Sequence, residues 1–213
     1  MAGRGFFLTV EGIDGAGKST QARMLAGRLR SFGREVVETR EPGGAPGAEE
    51  IRRLLVEGDP ERWSPETETL LFTAARRDHV ERIVEPALSR GAVVLCDRYV
   101  DSTRAYQGAG AAGRRALVDR LHQLAIGLDP DLTLIFDMDP AMALERARNR
   151  VSDRGEDRFE KKGQMFQARL RDEFLAIAAA EPGRCALIDA AQPTEAVAGQ
   201  VWAAVAPRLG VAP

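Results

Sequence analysis

At 213 residues, with 44% hydrophobic and 29% charged side chains, the chain has soluble-protein composition and enough apolar material for one well-buried domain. Thirty basic against 32 acidic residues give a formal net charge of −2, which argues against a general polyanion binder, so no nucleic acid partner is expected, while a locally basic pocket is permitted. The longest apolar runs, such as AVVLC before Asp97, fall far short of the roughly 20 residues that cross a bilayer, and the N-terminus has no signal-peptide pattern, so no membrane partner and a cytoplasmic location are expected.

The first predicted element is the strand FFLTVE, residues 6 to 11, followed by a glycine-rich turn and an amphipathic helix from Lys18 to about Arg30. A second strand, EVVETR, covers 35 to 40, and helical patterns run from Ala48 to Val56 and from Pro65 to Ser89. The third strand is AVVLCD, 92 to 97. After it GAGAAG, 108 to 113, reads as a flexible connection, and a helix spans Arg114 to Ile126. The fourth strand, LTLIFD at 132 to 137, precedes helices from Pro140 to Arg150 and from Lys162 to Ala180. The fifth, CALID at 185 to 189, precedes a helix from Pro193 to Leu209.

Near-continuous apolar strands alternating with helices predict an α/β fold, a five-stranded parallel sheet with helices on both faces. Cys96 and Cys185 fall in or beside strands, without metal-ligand spacing, and read as core thiols. In such sheets ligands bind beyond the carboxyl ends of the strands. Three ends carry charges that should converge there: Asp14 after the first strand, Arg40 and Glu41 after the second, Asp97 and Arg98 after the third.

The turn after the first strand is Gly12-Ile13-Asp14-Gly15-Ala16-Gly17-Lys18-Ser19, which fits the GxxxxGK(S/T) phosphate-loop pattern in the required strand-to-helix context. Residues 12 to 19, with Thr20 next in the helix, form the candidate nucleotide cradle. Backbone N–H groups face the phosphates, Lys18 reaches the β- and γ-phosphates, and the Ser19 hydroxyl is a magnesium ligand. Asp97 is either a holder of a magnesium-bound water or a cap for the segment after it. No NKxD pattern of guanine-specific GTPases occurs, so a small-molecule phosphate acceptor fits better.

Several motifs occur together: EGIDGAGKST at 11 to 20, TREPGG at 39 to 44, LLFTAARRDH at 70 to 79, DRYVDSTRAYQG at 97 to 108, RNRVSDRGEDRFE at 148 to 160 and IDAAQPTEAV at 188 to 197. From first strand to last helix the chain resembles a bacterial thymidylate kinase. The resemblance implies a three-layer P-loop kinase fold in a single domain, with a lid at about 148 to 161. It further implies transfer of the γ-phosphate of ATP to dTMP with magnesium, and a homodimer.

Carried over residue by residue, the resemblance assigns Arg98 to the dTMP phosphate, Phe72 to stacking on thymine and Arg76 to the thymine carbonyl. Read without the family, Phe72 is a core aromatic, and the choice of Arg76 over Arg77 rests on the four-residue spacing from Phe72. Thr103 matches a position at the base edge, Tyr106 one that crowds the sugar 2' position, and Gln107 supports the base or the loop. Asp14 matches the acid that accepts from the sugar 3'-hydroxyl. Glu41 and Pro42 line the acceptor pocket, Arg40 lies close to the transferred phosphate, and the Ala190 to Pro193 turn flanks adenine. Ala45 stands where a threonine is common.

The catalytic arginine of such enzymes comes from the phosphate loop or from the lid, and residues 13 to 16 contain none. Arg150 or Arg154, with Arg158 in support, is therefore the expected cation over the ATP phosphates. Read alone, the arginines of this stretch, interleaved with acids, are a solvated helix face. Competing readings are another nucleoside monophosphate kinase and a nucleotide-switched regulatory module. The second of these does not need Phe72, Arg76, Arg98 and Tyr106 as a set.

Overall fold

A computed structural model describes residues 4–59, 62–109, 113–148 and 163–211. The strands are β1 (Phe6–Gly12), β2 (Val36–Arg40), β3 (Val93–Asp97), β4 (Leu132–Asp137) and β5 (Cys185–Asp189). They form one five-stranded sheet in the order β2-β3-β1-β4-β5, every pair parallel. The helices are α1 (Lys18–Ser31), α2 (Pro46–Val56), α3 (Pro65–His79), α4 (Glu85–Ser89), α5 (Val100–Tyr106), α6 (Arg114–Ala125), α7 (Pro140–Arg148), α8 (Gly163–Ala180) and α9 (Thr194–Leu209).

Alternation along β1 separates two apolar layers. Leu8 and Val10 pack with Leu25 and Leu29 of α1 and with Val201 and Val205 of α9. Phe7 points the other way, into Val80, Val84, Leu88 of α4 and Val118 of α6. Burying each such aliphatic side chain contributes about 1.5–3 kcal/mol, and because both faces of the strands are apolar, neither can be left to solvent. Both cysteines are free and buried. No helix among the described residues is long and apolar enough to cross a membrane.

The helical run from Pro65 to Ser89 is continuous but not uniform: between α3 and α4 the chain makes a π-helical turn, Val80–Val84. Pro86 lacks the N–H that an α ladder needs there, which accounts for the wider turn. Ser64 starts the run, its hydroxyl accepting the Thr67 N–H at 3.2 Å with Pro65 at the first helical position.

Periodicity does not predict α5. Its seven residues include Val100 and Thr103, poor helix formers, and no side chain of its own caps it. The cap comes from another element, because Glu11 at the end of β1 accepts the backbone N–H groups of Tyr99 at 2.7 Å and Ser102 at 3.2 Å. A carboxyl oxygen facing the N–H groups at the start of a helix does here what an Asp or Ser N-cap does locally.

The register brings the strand ends together. Val10 of β1 and Arg40 of β2 both stand opposite Asp97 of β3, so residues 11 to 15, 41 to 44 and 98 onward leave the sheet side by side. The charged strand ends expected to converge do so.

Candidate active site

The phosphate loop follows directly from this placement. Gly15 has φ 88°, and a Cβ there would stand 1.9 Å from the Ala143 carbonyl oxygen, so no side chain fits. The first turn of α1 has neither an acid nor a side-chain cap, leaving its N–H groups to a bound anion. Lys18 is buried, and its Nζ donates to the carbonyls of Gly12 at 3.0 Å and Ile13 at 2.9 Å. Burial, and then Arg98, lower its pKa to about 8 against the pull of Asp14, Asp97 and Glu11. Ser19 Oγ donates to Asp97 Oδ2 at 2.7 Å, joining the start of α1 to the end of β3.

A cavity of about 360 Å³ opens at Gly15, Lys18 and Ser19 and extends to Phe72 and Arg76. Arg98 stands in its wall with φ 69°, a left-handed backbone that a non-glycine residue adopts only where its surroundings hold it. Its guanidinium donates to Asp14, to the Gly12 carbonyl at 3.2 Å and to Ser102 Oγ at 3.0 Å, and lies 5.3 Å from the centre of the Tyr106 ring. Burial works against its charge, but Tyr106, Asp14, Asp97 and Glu11 raise its pKa above the arginine value. Burial likewise works against the Asp14 carboxylate, yet Arg98 and Lys18 hold it below the usual range. Tyr106 completes the group, its hydroxyl donating to Asp14 at 3.4 Å.

At the far end Arg76 is 2% exposed. Its Nε donates to Glu41 Oε2 at 2.7 Å and its Nη2 to Thr103 Oγ1 at 2.9 Å, so Nη1 is the nitrogen left for a ligand. Phe72, one helical turn earlier, lines the same cavity, whereas Arg77 pairs with Glu81 on the surface. Thr103 thus holds Arg76, and Gln107 donates to Glu68 at 3.3 Å; both line the cavity. Pro42 is in the wall, and Arg40 stands at the rim paired with Glu49 at 3.0 Å.

A second cavity, of about 330 Å³, lies on the other side of the phosphate loop, against Ala16, Gly17, Thr20 and the Ala190 to Pro193 turn. Arg146 lines it and donates to the Ala190 carbonyl at 3.1 Å. Arg150, Arg154 and Arg158 lie outside the described residues.

Sequence reading passed over Glu11, Arg52 and His79. Arg52 lines the cavity of Phe72 and Arg76 and donates to the Pro42 carbonyl at 2.6 Å. It shares a helical face with the buried Ala48 and Leu55, which is the signal that it points inward. His79 extends the Phe72, Arg76 spacing by three residues and is fully buried. Glu11 is fully buried as well, and its pKa is raised to about 7 by burial and then by Asp101, against Arg98 and its hydrogen-bond donors. An acid ending an otherwise apolar strand was the visible sign.

A phosphate loop shared by two cavities, one with a cationic and aromatic wall, matches what known proteins of similar sequence are named for. The family model described as thymidylate kinase matches residues 10–201. The thymidylate kinase of Dinoroseobacter shibae is 60% identical over 203 residues, covering 95% of this chain and 97% of the relative. That of Ruegeria pomeroyi is 59% identical over 201 residues, covering 94% of each. The crystal structure of thymidylate kinase from Ehrlichia chaffeensis superposes with a TM-score of 0.75 at 36% identity, over 95% of this chain and 99% of that one. With the loop, the cavity beside it and the full-length similarity in agreement, the chain belongs to the thymidylate kinase family.

Proposed function

We infer that the chain transfers the γ-phosphate of ATP to dTMP, giving ADP and dTDP. The observation that carries the reading at residue level is the single cavity that has Gly15, Lys18 and Ser19 at one end and Phe72, Arg76 and Tyr106 at the other. An acceptor nucleotide seated there has its base on Phe72, its carbonyl toward Arg76 and its phosphate between Arg98 and the loop. ATP takes the loop and the second cavity, with adenine against the Ala190 to Pro193 turn and Arg146.

The acceptor oxygen belongs to a phosphate already largely ionised at neutral pH, its second pKa being about 6. It needs no general base. The new P–O bond forms to that oxygen as the bond to the β-phosphate bridging oxygen breaks, and the electron pair leaves with ADP. What the residues must supply is alignment and positive charge. Lys18 and Arg98 provide it from the floor, their charges shared with Asp14, which also accepts from the sugar 3'-hydroxyl. Tyr106 stands at the sugar, where an added 2'-hydroxyl meets a ring. Arg150 or Arg154, supported by Arg158, completes the charge from above, a proposal that rests on sequence alone.

Magnesium fits the residues present. Ser19 Oγ and Asp97 are hard oxygen donors 2.7 Å apart at the loop mouth. Among the described residues no group of three or more His, Cys, Asp and Glu could hold a metal by itself, so its remaining ligands would come from the nucleotide and water. Ser19 and Asp97 would hold such a cation, and it would supply positive charge beside the phosphates.

A homodimer and a cytoplasmic location belong to the same proposal. Leu54 of α2, Leu70 of α3 and Leu124 of α6 are exposed, on helices that pack α2 to α3 and α3 to α6, and are the apolar material for a self-contact. The acceptor is tested by ADP release with each common nucleoside monophosphate. Turnover with dTMP far above the others supports the reading, and equal turnover with dCMP or AMP overturns it.

A further inference from the structure

The side chains behind Arg76 form a chain of hydrogen bonds that runs through a histidine outside the lining of the cavity. Glu41 offers both carboxylate oxygens: Oε2 accepts from Arg76 Nε at 2.7 Å and Oε1 faces His79 Nδ1 at 2.9 Å. The other imidazole nitrogen, Nε2, is 2.7 Å from Thr39 Oγ1 on β2. His79 is 0% exposed and Glu41 5%. An ionised carboxylate only accepts, so Nδ1 must carry a proton. In the neutral ring Nε2 is then an acceptor and the Thr39 hydroxyl donates to it. Donation therefore runs from Thr39 through His79 into Glu41, and from Arg76 into both Glu41 and Thr103, and the network ties β2, α3 and α5 together.

The surroundings fix this arrangement. A Cβ on Gly44 would stand 2.5 Å from Thr39 Oγ1 and 2.8 Å from His79 Cδ2, so the backbone of the 41 to 44 loop lies directly over the imidazole. Gly44 also has φ 85°, which glycine alone adopts without strain.

We propose that His79 is a positioning residue for base recognition: by donating to Glu41 it fixes the carboxylate that aims Arg76, and so sets the preference for a base with a carbonyl at that edge. The proposal rests on the reading of Arg76 as the base contact. Arg76 can only donate, and held on two sides it cannot turn away from a mismatched amino group. A base with an amino group at that edge, as in dCMP, leaves two donors facing each other. With His79 silent, Glu41 loses one of its two anchors and the guanidinium gains freedom to tilt.

The test compares His79→Leu with His79→Asn. Leucine fills similar space without a donor, while the asparagine amide nitrogen falls near the position of Nδ1. His79→Leu is expected to raise the KM for dTMP about tenfold and to narrow the dTMP over dCMP preference by a similar factor. The KM for ATP stays within about twofold, because the loop is untouched. His79→Asn is expected to restore most of the loss. Equal KM values for dTMP in the two variants reduce His79 to packing and overturn the proposal, as does a leucine variant with wild-type discrimination.

Should the leucine variant fail to fold, ¹⁵N NMR of the wild-type ring decides. A proton on Nδ1 supports the relay, and an Nδ1 without one ends it. Arg76→Met separates the two levels. If it leaves the KM for dTMP unchanged, the base-contact reading fails; if it raises the KM while His79→Leu is silent, only the relay fails.

Discussion

Arg98 donates to Asp14 across the mouth of the phosphate loop, so the arginine proposed for the acceptor phosphate and the acid proposed for the acceptor sugar are held by each other before any ligand arrives. Pre-alignment of this kind places positive charge where it is needed without reorganisation during the reaction. Arg98→Ala is expected to lower kcat/KM for dTMP by at least about a hundredfold, with little change in the KM for ATP. Steady-state kinetics with each substrate varied checks this; a loss confined to ATP would assign Arg98 to the donor.

Glu11 gives a pH signature of stability. Its carboxyl titrates at 4.5 in the unfolded chain and at about 7 in the fold. The folded state therefore holds the extra proton between those values. The stability from this group is full below the lower pKa and is lost as pH rises through the upper one. Glu11→Gln removes the titration while keeping an oxygen for the Tyr99 and Ser102 N–H groups. The melting temperature of the variant minus that of wild type is expected to grow from about pH 5 to about pH 8. A difference that is flat or shrinks with pH contradicts the assignment.

Tyr106 stands between Asp14, Arg98 and the ring of Phe166, whose centroid is 5.9 Å away. Replacing it by alanine opens space at the sugar. Tyr106→Ala is expected to relax the preference for a deoxyribose over the matching ribose acceptor by about tenfold, since steric rejection of one hydroxyl is worth about a hundredfold at most. Competition between the two acceptors in one reaction measures it, and an unchanged ratio removes Tyr106 from sugar selection.

Single alanine substitutions at Arg150, Arg154 and Arg158 test the lid proposal. At least one is expected to lower kcat by about tenfold or more, with an unchanged melting curve, because a cation over the transferred group acts mainly in the transition state. Wild-type turnover in all three variants would mean that the remaining charge comes from elsewhere.

The parts of the site legible in sequence were those whose signal is local. Gly12 to Ser19 is a contiguous motif between a strand and a helix, the strand run before Asp97 is apolar without a break, and the one before Asp137 is interrupted only by Thr133. Phe72 and Arg76 came from the family resemblance, with the four-residue spacing choosing Arg76 over Arg77, and extending that face by one more turn reaches His79. What stayed hidden was cross-element. No pattern within residues 97 to 108 announces α5, because its cap is Glu11, some 90 positions earlier in the chain. Thr103, which the resemblance sets at the base edge, also accepts from Arg76, a pairing that depends on how α3 packs beside α5.

The most direct test follows the phosphorus itself. The chain is incubated with magnesium, dTMP and ATP labelled in the γ-phosphate, and the labelled products are separated. The account expects the label in dTDP in step with ADP formation, and its loss when Lys18 or Arg98 is replaced. Label found in inorganic phosphate alone, with dTMP unchanged, would contradict it.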